Sequence, residues 1–174
     1  SNPQKRNLHR VVVFRDTKKL PDLVLSALES EDPEVLWKWM EDQRAKGSTL
    51  FAIPHNGNAS DGRMFEMVKF DGNEPLYEIT QIKGTSETHP DLSPNDEFAG
   101  FEQWDYTLSA DYERPKHRRG SFARQALLDG MSQAAAGAGN PFKYGIIGDS
   151  DTHNAAASHE ENNYTGKFGF ENNP

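Results

Sequence analysis

The sequence predicts an α/β fold with parallel strands, flanking helices and long loops. Short apolar runs rich in β-branched and aromatic residues predict four strands, at residues 10–14, 49–53, 76–82 and 143–147. Helix signals lie between them, and polar loops follow most of the predicted strands. Because strand, loop, helix and strand in this order are typical of an α/β unit, we expect the four strands to lie parallel in one sheet.

The composition predicts a folded chain with a thin hydrophobic core. Leu, Ile, Val and Phe together number 33 of the 174 residues, a proportion near the limit below which chains stay disordered. Three Trp and ten Phe favour a folded state. We therefore interpret residues 1–174 as a single segment, which is either a small domain with long loops or part of a larger domain.

Charge and residue counts argue against several classes of protein. A net charge of −8 argues against nucleic-acid binding through a basic surface. The absence of cysteine excludes disulfides, cysteine zinc sites and thiol catalysis. No apolar run approaches the roughly 18 residues that a membrane span needs, and no targeting segment is recognised. We expect a soluble protein, either cytoplasmic or exported, that binds neither nucleic acid nor membrane.

The first half of the chain contains the clearest element signals. Residues 10–14 are β-branched and bounded by charges, which indicates a buried strand. Asp32, Pro33 and Glu34 form a strong helix start, and Gly47 supplies a stop, so we predict a helix over 33–46. A buried strand at 49–53 follows and ends in a polar turn.

The second half alternates between regular and irregular segments. Residues 76–82 alternate apolar and polar side chains and predict a strand. Ser121 is the expected N-cap of a helix that reaches about Asp129, with Gly130 after it. Residues 143–147 predict the fourth strand, and the polar tail from residue 155 to residue 174 is expected to be loop.

Metal-ligating or acid–base side chains follow three of the predicted strands. They are His55 after the second strand, Glu87 and His89 after the third, and Asp151 and His153 after the fourth. Function collects at the C-terminal ends of strands in α/β proteins. Imidazole and carboxylate groups together suit zinc, iron or manganese. The pattern therefore predicts a metal or catalytic site, although a single His at a strand end is more often an ordinary loop residue.

Two further features have alternative interpretations. The glycine and asparagines that follow His55 allow a sharp turn close to a ligand, or an ordinary loop. The basic run at 114–119 is either a solvated loop that balances nearby acids or a phosphate-facing segment. Anion-contacting side chains of a substrate site are expected among Asn56, Asn58, Arg63 and Lys83.

Several collinear segments of the chain resemble a known family. They include IPHNGN at 53–58, EPLYEITQIKGTSETHP at 74–90, NDEFAGFE at 95–102, GSFAR at 120–124 and NPFKYGIIGDSDTHN at 140–154. These words are similar to those of a bacterial family of unknown function that is grouped with the polymerase-and-histidinol-phosphatase (PHP) metal-dependent phosphoesterases. The resemblance covers residues 9–169.

The resemblance implies a distorted (βα)7 barrel with two or three divalent metal ions, zinc, manganese or iron, that polarise a phosphoryl group. On this chain it implies His55 as a strand-end ligand, Asp151 and His153 as a closing pair, and His9 as a further ligand. Glu87 and His89 belong to the family's own motif and are implied as ligands or their hydrogen-bond partners.

The superfamily's opening His-x-His motif has no counterpart in residues 1–174. We therefore interpret the chain as the C-terminal half of a larger barrel, with the N-terminal part of the same barrel as its missing partner. The leading hypothesis is a phosphoester hydrolase with an incomplete metal site and a small anionic substrate. The alternative is a catalytically silent fragment or ligand-binding module.

Overall fold

The computed structural model describes residues 7–108 and 113–153. Within these residues the strands are β1 (Arg10–Phe14), β2 (Leu50–Pro54), β3 (Leu76–Gln81), β4 (Gly84–Thr85) and β5 (Gly145–Gly148). The helices in the same part of the chain are α1 (Pro33–Ala45) and α2 (Ala123–Ala135). Single turns of 3-10 helix occur at 17–19, 57–59 and 64–66.

Strands β1 and β2 form a two-stranded antiparallel sheet. Arg10 lies opposite Pro54, and Phe14 lies opposite Leu50. The segment between the strands contains a long irregular stretch before α1, which gives the chain enough length to return in the opposite direction. The expectation that all four predicted strands run parallel in one sheet is therefore wrong. Apolar runs indicate where strands lie but do not encode their direction.

The second sheet has three strands in the order β4, β3, β5. β3 and β5 are parallel, with Leu76 opposite Gly145 and Glu78 opposite Ile147. β4 turns back antiparallel to β3, with Thr80 opposite Thr85. Of the four predicted strands only these two pair in parallel in the described residues, and the sheet as a whole is mixed.

The expected part of a distorted (βα)7 barrel is also wrong. Such a barrel requires successive parallel strands that are each followed by a helix. Residues 7–108 and 113–153 instead form one antiparallel and one mixed sheet with two helices, and no closed barrel. A hairpin connects β3 to β4, and a reversed strand pairs with β2, so neither connection has the strand–helix–strand geometry that a barrel repeats.

Helix α1 forms where the sequence predicts it. The Asp32 side chain accepts a hydrogen bond from the Glu34 backbone N–H (2.9 Å), and Pro33 occupies the first turn. Gly47 follows the last turn with φ of +94°, a conformation that favours glycine. Met40 and Gln43 are buried on the inner face, as the apolar stripe predicts.

The N-cap of helix α2 is Phe122, one residue after Ser121, which was the predicted N-cap. The Ser121 hydroxyl accepts a hydrogen bond from the Gly62 N–H (2.7 Å) instead of capping the helix. The first helical N–H groups donate to the carbonyl oxygens of Ser86 and Glu87 (both 2.9 Å), which provide a backbone cap. The helix continues through Gly130, where the Asn140 side chain approaches too closely for a Cβ atom.

Two apolar clusters stabilise these elements. One joins α1 to the first sheet around Met40, Leu50 and Ala52. The other joins α2 to β3 through Tyr77 and Ala126, with an aromatic group beside them. In that group Phe65 lies 5.0 Å from Tyr77 between ring centroids. The core is thus divided rather than continuous, which agrees with the low content of large apolar residues.

Candidate functional site

The antiparallel pairing of β1 and β2 brings two histidines together. His9 immediately precedes β1 and His55 immediately follows β2, so the reversed direction of β1 puts them at the same edge. The His55 N–H donates to the His9 carbonyl oxygen (3.2 Å), which extends the ladder by one step. The two imidazole ring centroids are 6.0 Å apart. His55 is buried, whereas His9 is open to solvent.

Glu78 adds a carboxylate from the neighbouring sheet. This strand residue is 6% exposed, and its Oε1 lies 3.5 Å from His55 Nδ1. Both atoms are buried and neither has a hydrogen-bond partner within the described part of the chain. Buried polar atoms without a hydrogen-bond partner cost free energy, which makes this pair the candidate position for a ligand.

The sequence did not single out Glu78. An alternating strand predicts one apolar and one polar face, and a glutamate on such a strand is expected to face solvent. In the structure the adjacent Tyr77 is fully buried as well, so both faces of β3 are covered here. Glu78 can be identified because it is an acidic residue in a strand whose two faces are both covered.

His9 contacts Asn7, and its surroundings shift the pKa of its imidazole. Its backbone N–H donates to the Asn7 Oδ1 (3.1 Å), and its Nδ1 lies 3.4 Å from the Asn7 side-chain nitrogen. Partial burial, followed by the charges of His55, Lys83 and Arg10, lowers the pKa of His9. At neutral pH this imidazole is therefore uncharged and has a lone pair available.

The turn after β2 presents Asn56 to the same region. Asn56 has φ of +58° and ψ of +39°, a left-handed conformation that asparagine tolerates well. Its Oδ1 accepts a hydrogen bond from Gln81 Nε2, while its Nδ2 is buried without a partner among the described residues. This N–H group is therefore available to an acceptor that enters the site.

Asn58 and Arg63 are engaged elsewhere. The Asn58 Nδ2 donates to the Lys83 carbonyl oxygen (2.8 Å), and its Oδ1 accepts a hydrogen bond from the Ser86 hydroxyl (3.0 Å). Arg63 pairs with Glu66 (2.8 Å) at a partly exposed position. Asn58 thus connects the turn after β2 to the segment after β3, which is a structural role.

Lys83 and Asp151 form an ion pair across the ends of β3 and β5. Their side chains are 15% and 12% exposed, so the pair is largely withdrawn from water. Asp151 has φ of +54°, which is uncommon for a residue other than glycine. Since the charge of Lys83 also lowers the pKa of His9, the pair belongs to the same region.

His153 is not brought into the buried part of this region. It is exposed, and its Nδ1 lies 2.8 Å from the Asp151 carbonyl oxygen. The convergence expected for His55, Asp151 and His153 remains a prediction. The structure connects Asp151 to the region through Lys83.

Glu87 and His89 bind other partners. Glu87 pairs with Arg124, which also contacts Asp96 (2.5 Å). The hydrogen bonds and ion pairs of these side chains are made in a surface network beside α2.

His89 has a different set of charged neighbours. Its Nδ1 is 3.2 Å from Asp91, and its Nε2 is 3.9 Å from Asp105. Partial burial and the charge of Arg118 lower the pKa of His89, although the two carboxylates act in the opposite direction. Arg118 itself pairs with Asp105. The basic run at 114–119 thus has acidic neighbours, as the solvated-loop interpretation requires.

The side chains of His9, His55 and Glu78 carry donor atoms of the types that bind metal ions. His9, His55 and Glu78 offer two imidazoles and one carboxylate, the donor types that zinc accepts. The ammonium of Lys83 beside Asp151 shows that this carboxylate is placed to hold a positive charge. In the described residues no group of three or more His, Asp or Glu side chains is arranged closely enough to hold an ion. We name His9, His55 and Glu78 the histidine cluster.

The fold and the site define a small mixed α/β chain in which strand ends bring histidines, carboxylates and a lysine together. No helix in residues 7–108 or 113–153 combines the length and apolar character that a membrane span needs. The model of a family described as "Protein of unknown function (DUF3604)" matches residues 1–174. The chain belongs to this family. Comparisons with curated proteins and with solved structures find no match.

Proposed function

We propose that the chain supplies part of the active site of a metal-dependent hydrolase that acts on phosphoesters, of the kind found in the PHP superfamily. The observation that supports this most directly is the contact of His55 Nδ1 with Glu78 Oε1, two buried atoms 3.5 Å apart that have no hydrogen-bond partner in the described residues. Two such atoms within a protein interior are costly unless a proton or a cation joins them.

The histidine cluster carries the donor types that would hold the ion, although its three side chains do not lie closely enough together to do so in this arrangement. Glu78 lies on β3 and His55 directly follows β2. The lowered pKa of His9 leaves its imidazole free to donate a lone pair at neutral pH. A divalent ion bound there would polarise a phosphoryl oxygen and lower the pKa of a bound water. The solvent-open side of His9 gives a substrate its entry path.

The substrate class follows from the neighbouring donors. Asn56 Nδ2 is a buried N–H group without a partner in the described residues, and Lys83 provides an ammonium next to the histidine cluster. Nitrogen donors and a positive charge recognise an oxyanion. We therefore propose a small anionic substrate, with Asn56 and Lys83 as its contacts. The structural roles of Asn58 and Arg63 make them weaker candidates.

Elemental analysis of the purified chain after equilibration with Mn²⁺ or Zn²⁺ tests the proposal. We expect bound metal in the wild-type protein and a loss of most of it in His55→Ala. His117→Ala is the matched control, because His117 is an exposed histidine whose ion pair is with Asp61. An equal metal content in all three proteins, or none in the wild type, would contradict the proposal.

Hydrolysis by the 174-residue chain is expected to be weak. A site with two ions needs at least three protein ligands for each ion, and the histidine cluster offers three in total. With p-nitrophenyl phosphate and added Mn²⁺ we expect little turnover by the 174 residues. Robust turnover by the 174 residues, lost on chelation, would show that the site is already complete.

The alternative is a ligand-binding module without catalytic activity. It is favoured by the finding that no three ligating side chains in the described residues are arranged to hold an ion. In that case inorganic phosphate should bind equally well with and without Mn²⁺, through Asn56 and Lys83 alone. Calorimetric titration with phosphate in the presence of a chelator separates the two functions.

A further inference from the structure

A turn at residues 97–102 displays two phenylalanine rings on the surface. Phe98 and Phe101 are 73% and 69% exposed, and the Phe101 N–H donates to the Phe98 carbonyl oxygen (2.9 Å). The glutamates at the two ends of this turn, Glu97 and Glu102, are exposed as well. Large apolar side chains displayed in this way are typical of a surface that contacts another protein. We name residues 97–102 the phenylalanine turn.

The two rings border a cavity of about 260 Å³. Its lining includes the buried Thr88 and Ala99, whose carbonyl oxygens both accept hydrogen bonds from Gln103 Nε2 (3.1 and 2.9 Å). This part of the wall is therefore held in place without a ligand. The volume lies below the roughly 300–1,000 Å³ of pockets for drug-sized ligands, so the cavity suits a single side chain.

The charge around the cavity favours a cationic side chain. Arg124 is the cation in the lining, and the carboxylates of Glu87 and Asp96 share it. Two carboxylates on one guanidinium leave a negative charge in excess, and Glu97 and Glu102 add to it. A lysine fits this combination, because its stem packs along apolar rings while its ammonium reaches the carboxylates.

The basic run at 114–119 presents a lysine from a fixed backbone. Lys116 is exposed, and the preceding Pro115 is buried. The N–H groups of Lys116 and His117 both donate to Asp61 Oδ1 (2.6 and 2.8 Å). A side chain presented from an anchored segment requires less ordering when it binds, so less free energy opposes association.

The basic run and the phenylalanine turn are neighbours on the surface. Arg118 of the run lies 3.6 Å from Asp91 in an ion pair. The adjacent Pro90 lies 3.8 Å from the place that a Cβ atom on Gly100, within the turn, would occupy. Two complementary surfaces side by side on one molecule can meet their counterparts on a second copy around a two-fold axis, with both contacts made at once.

We infer that two copies of the chain associate in this way, with Lys116 of each copy in the cavity beside Phe98 and Phe101 of the other. The carboxylates of Glu97 and Glu102 attract the incoming ammonium, and the two rings cover its stem. The association involves neither the histidine cluster nor a metal ion, so it is independent of the proposed function.

Sedimentation equilibrium of the 174-residue chain over a series of concentrations measures the association. We expect a reversible monomer–dimer equilibrium, which Phe98→Ala should weaken by at least about tenfold, as aromatic residues near the centre of an interface do. Leu28→Ala is the matched control, because Leu28 is 95% exposed in the segment before α1 and should leave the equilibrium unchanged. A wild type that is monomeric even at about 1 mM, or equal effects of the two substitutions, would overturn the inference.

Exchange of charges tests the two-fold pairing itself. The double variant Glu97→Lys, Glu102→Lys and the single variant Lys116→Glu should each be monomeric, since both contacts of a dimer would then join like charges. An equimolar mixture of the two should dimerise again, because each contact then joins opposite charges. A mixture that stays monomeric, or assemblies that grow beyond the dimer, would contradict the inference. Circular dichroism checks that the variants fold, and a Gln substitution at the same positions replaces any that does not and should likewise weaken the dimer.

Discussion

Glu78 is the residue on which the histidine cluster depends most closely. Its Oε1 is buried 3.5 Å from His55 Nδ1, and neither atom has a hydrogen-bond partner in the residues that the structure describes. Under the proposed function this carboxylate would either ligate an ion directly or orient the imidazole that does so. Both roles require the negative charge and not merely the shape of the side chain.

Replacement of Glu78 by glutamine separates charge from shape. We expect Glu78→Gln to weaken Mn²⁺ or Zn²⁺ binding by about 10–100-fold, because carboxylates that hold or orient metal ligands have effects of this size. The thermal midpoint should change little, since the amide has the same volume and removes a buried charge. Unchanged metal affinity in a folded variant would show that Glu78 plays no part in the site.

Asp61 provides a pH-dependent contribution to stability away from the site. Its Oδ1 accepts backbone hydrogen bonds from Lys116 (2.6 Å) and His117 (2.8 Å). Partial burial acts to raise the pKa of Asp61, but these hydrogen bonds and the nearby His117 lower it overall. A carboxyl group with a lowered pKa in the folded state stabilises the fold above its unfolded pKa, and the effect disappears as the pH falls through the folded value.

The expected consequence is measurable in Asp61→Asn. At about pH 7 the variant should be less stable than the wild type by about 1–2 kcal/mol, since the amide oxygen is a weaker acceptor for two N–H groups at a partly exposed position. The difference should shrink as the pH falls from about 4 towards 2. Urea unfolding at several pH values tests this, and a difference that stays constant with pH would contradict it.

At the residue scale the sequence predicted part of the candidate site. His55 and Asp151 were predicted because polar residues that follow apolar runs lie at strand ends. Lys83 was predicted as a substrate contact, and its pairing with Asp151 was not visible because the two lie far apart in the chain. Glu78 was missed, since burial of both faces of a strand depends on contacts that no local pattern contains.

At the scale of elements, the turn after β2 is the segment that places His55 and Asn56. It passes so close to β3 that a Cβ atom on Gly57 would lie 1.8 Å from the Tyr77 hydroxyl oxygen and 2.7 Å from the Ser121 carbonyl oxygen. The glycine is therefore required for close packing of the turn against the strand.

We expect Gly57→Ala to reduce the free energy of unfolding by about 1–3 kcal/mol, the usual cost of an extra atom in a packed interior. Gly72→Ala is the control, because no atom lies within 4 Å of a Cβ atom at that position. Urea denaturation of both variants measures the difference. Equal stabilities would mean that the turn has room to shift.

Element positions were more predictable from the sequence than element directions. The helix α1 was predicted because its cap, its Pro and its closing Gly are all local signals. The start of α2 was displaced because the Ser121 hydroxyl bonds to Gly62 rather than to its own helix. The antiparallel direction of β1 depends on its partner β2, about 35 residues further along the chain, so it has no local signature.

At the scale of the whole molecule, one buried ion pair joins β1 to the segment before β3. Arg10 Nε lies 2.9 Å from Glu74 Oε1, and the two side chains are 2% and 0% exposed. Glu74 also accepts a hydrogen bond from the Lys69 N–H (2.6 Å). The pair thus connects β1, which directly follows His9, to the segment that leads into the second sheet.

Removal of one partner should be costly. We expect Glu74→Ala to destabilise the protein by about 3–5 kcal/mol, because it leaves the Arg10 guanidinium buried without its counter-ion. Glu66→Ala is the matched control, since the Arg63 and Glu66 side chains are 36% and 63% exposed and their pair should contribute less than about 1 kcal/mol. Chemical denaturation of the two variants provides the comparison. Similar losses would show that Arg10 finds another partner or reaches solvent.

The global arrangement was the least predictable level. The barrel expectation came from a family resemblance, and the local patterns of strand and helix were compatible with it. The ion pair between the sheets and the division of the apolar residues into two clusters are properties of the assembled chain. They depend on which surfaces meet, and residue patterns along one segment do not record this.

The distance in sequence between Lys83 and Asp151 has a consequence for protein synthesis. The two residues are 68 positions apart, and a ribosome that adds about 5–20 residues per second needs several seconds to cover that interval. His9, His55 and Glu78 have all been made before it begins. Under the proposed function, a metal ion present during translation would therefore meet the histidines before Asp151, the ion-pair partner of Lys83, has been made.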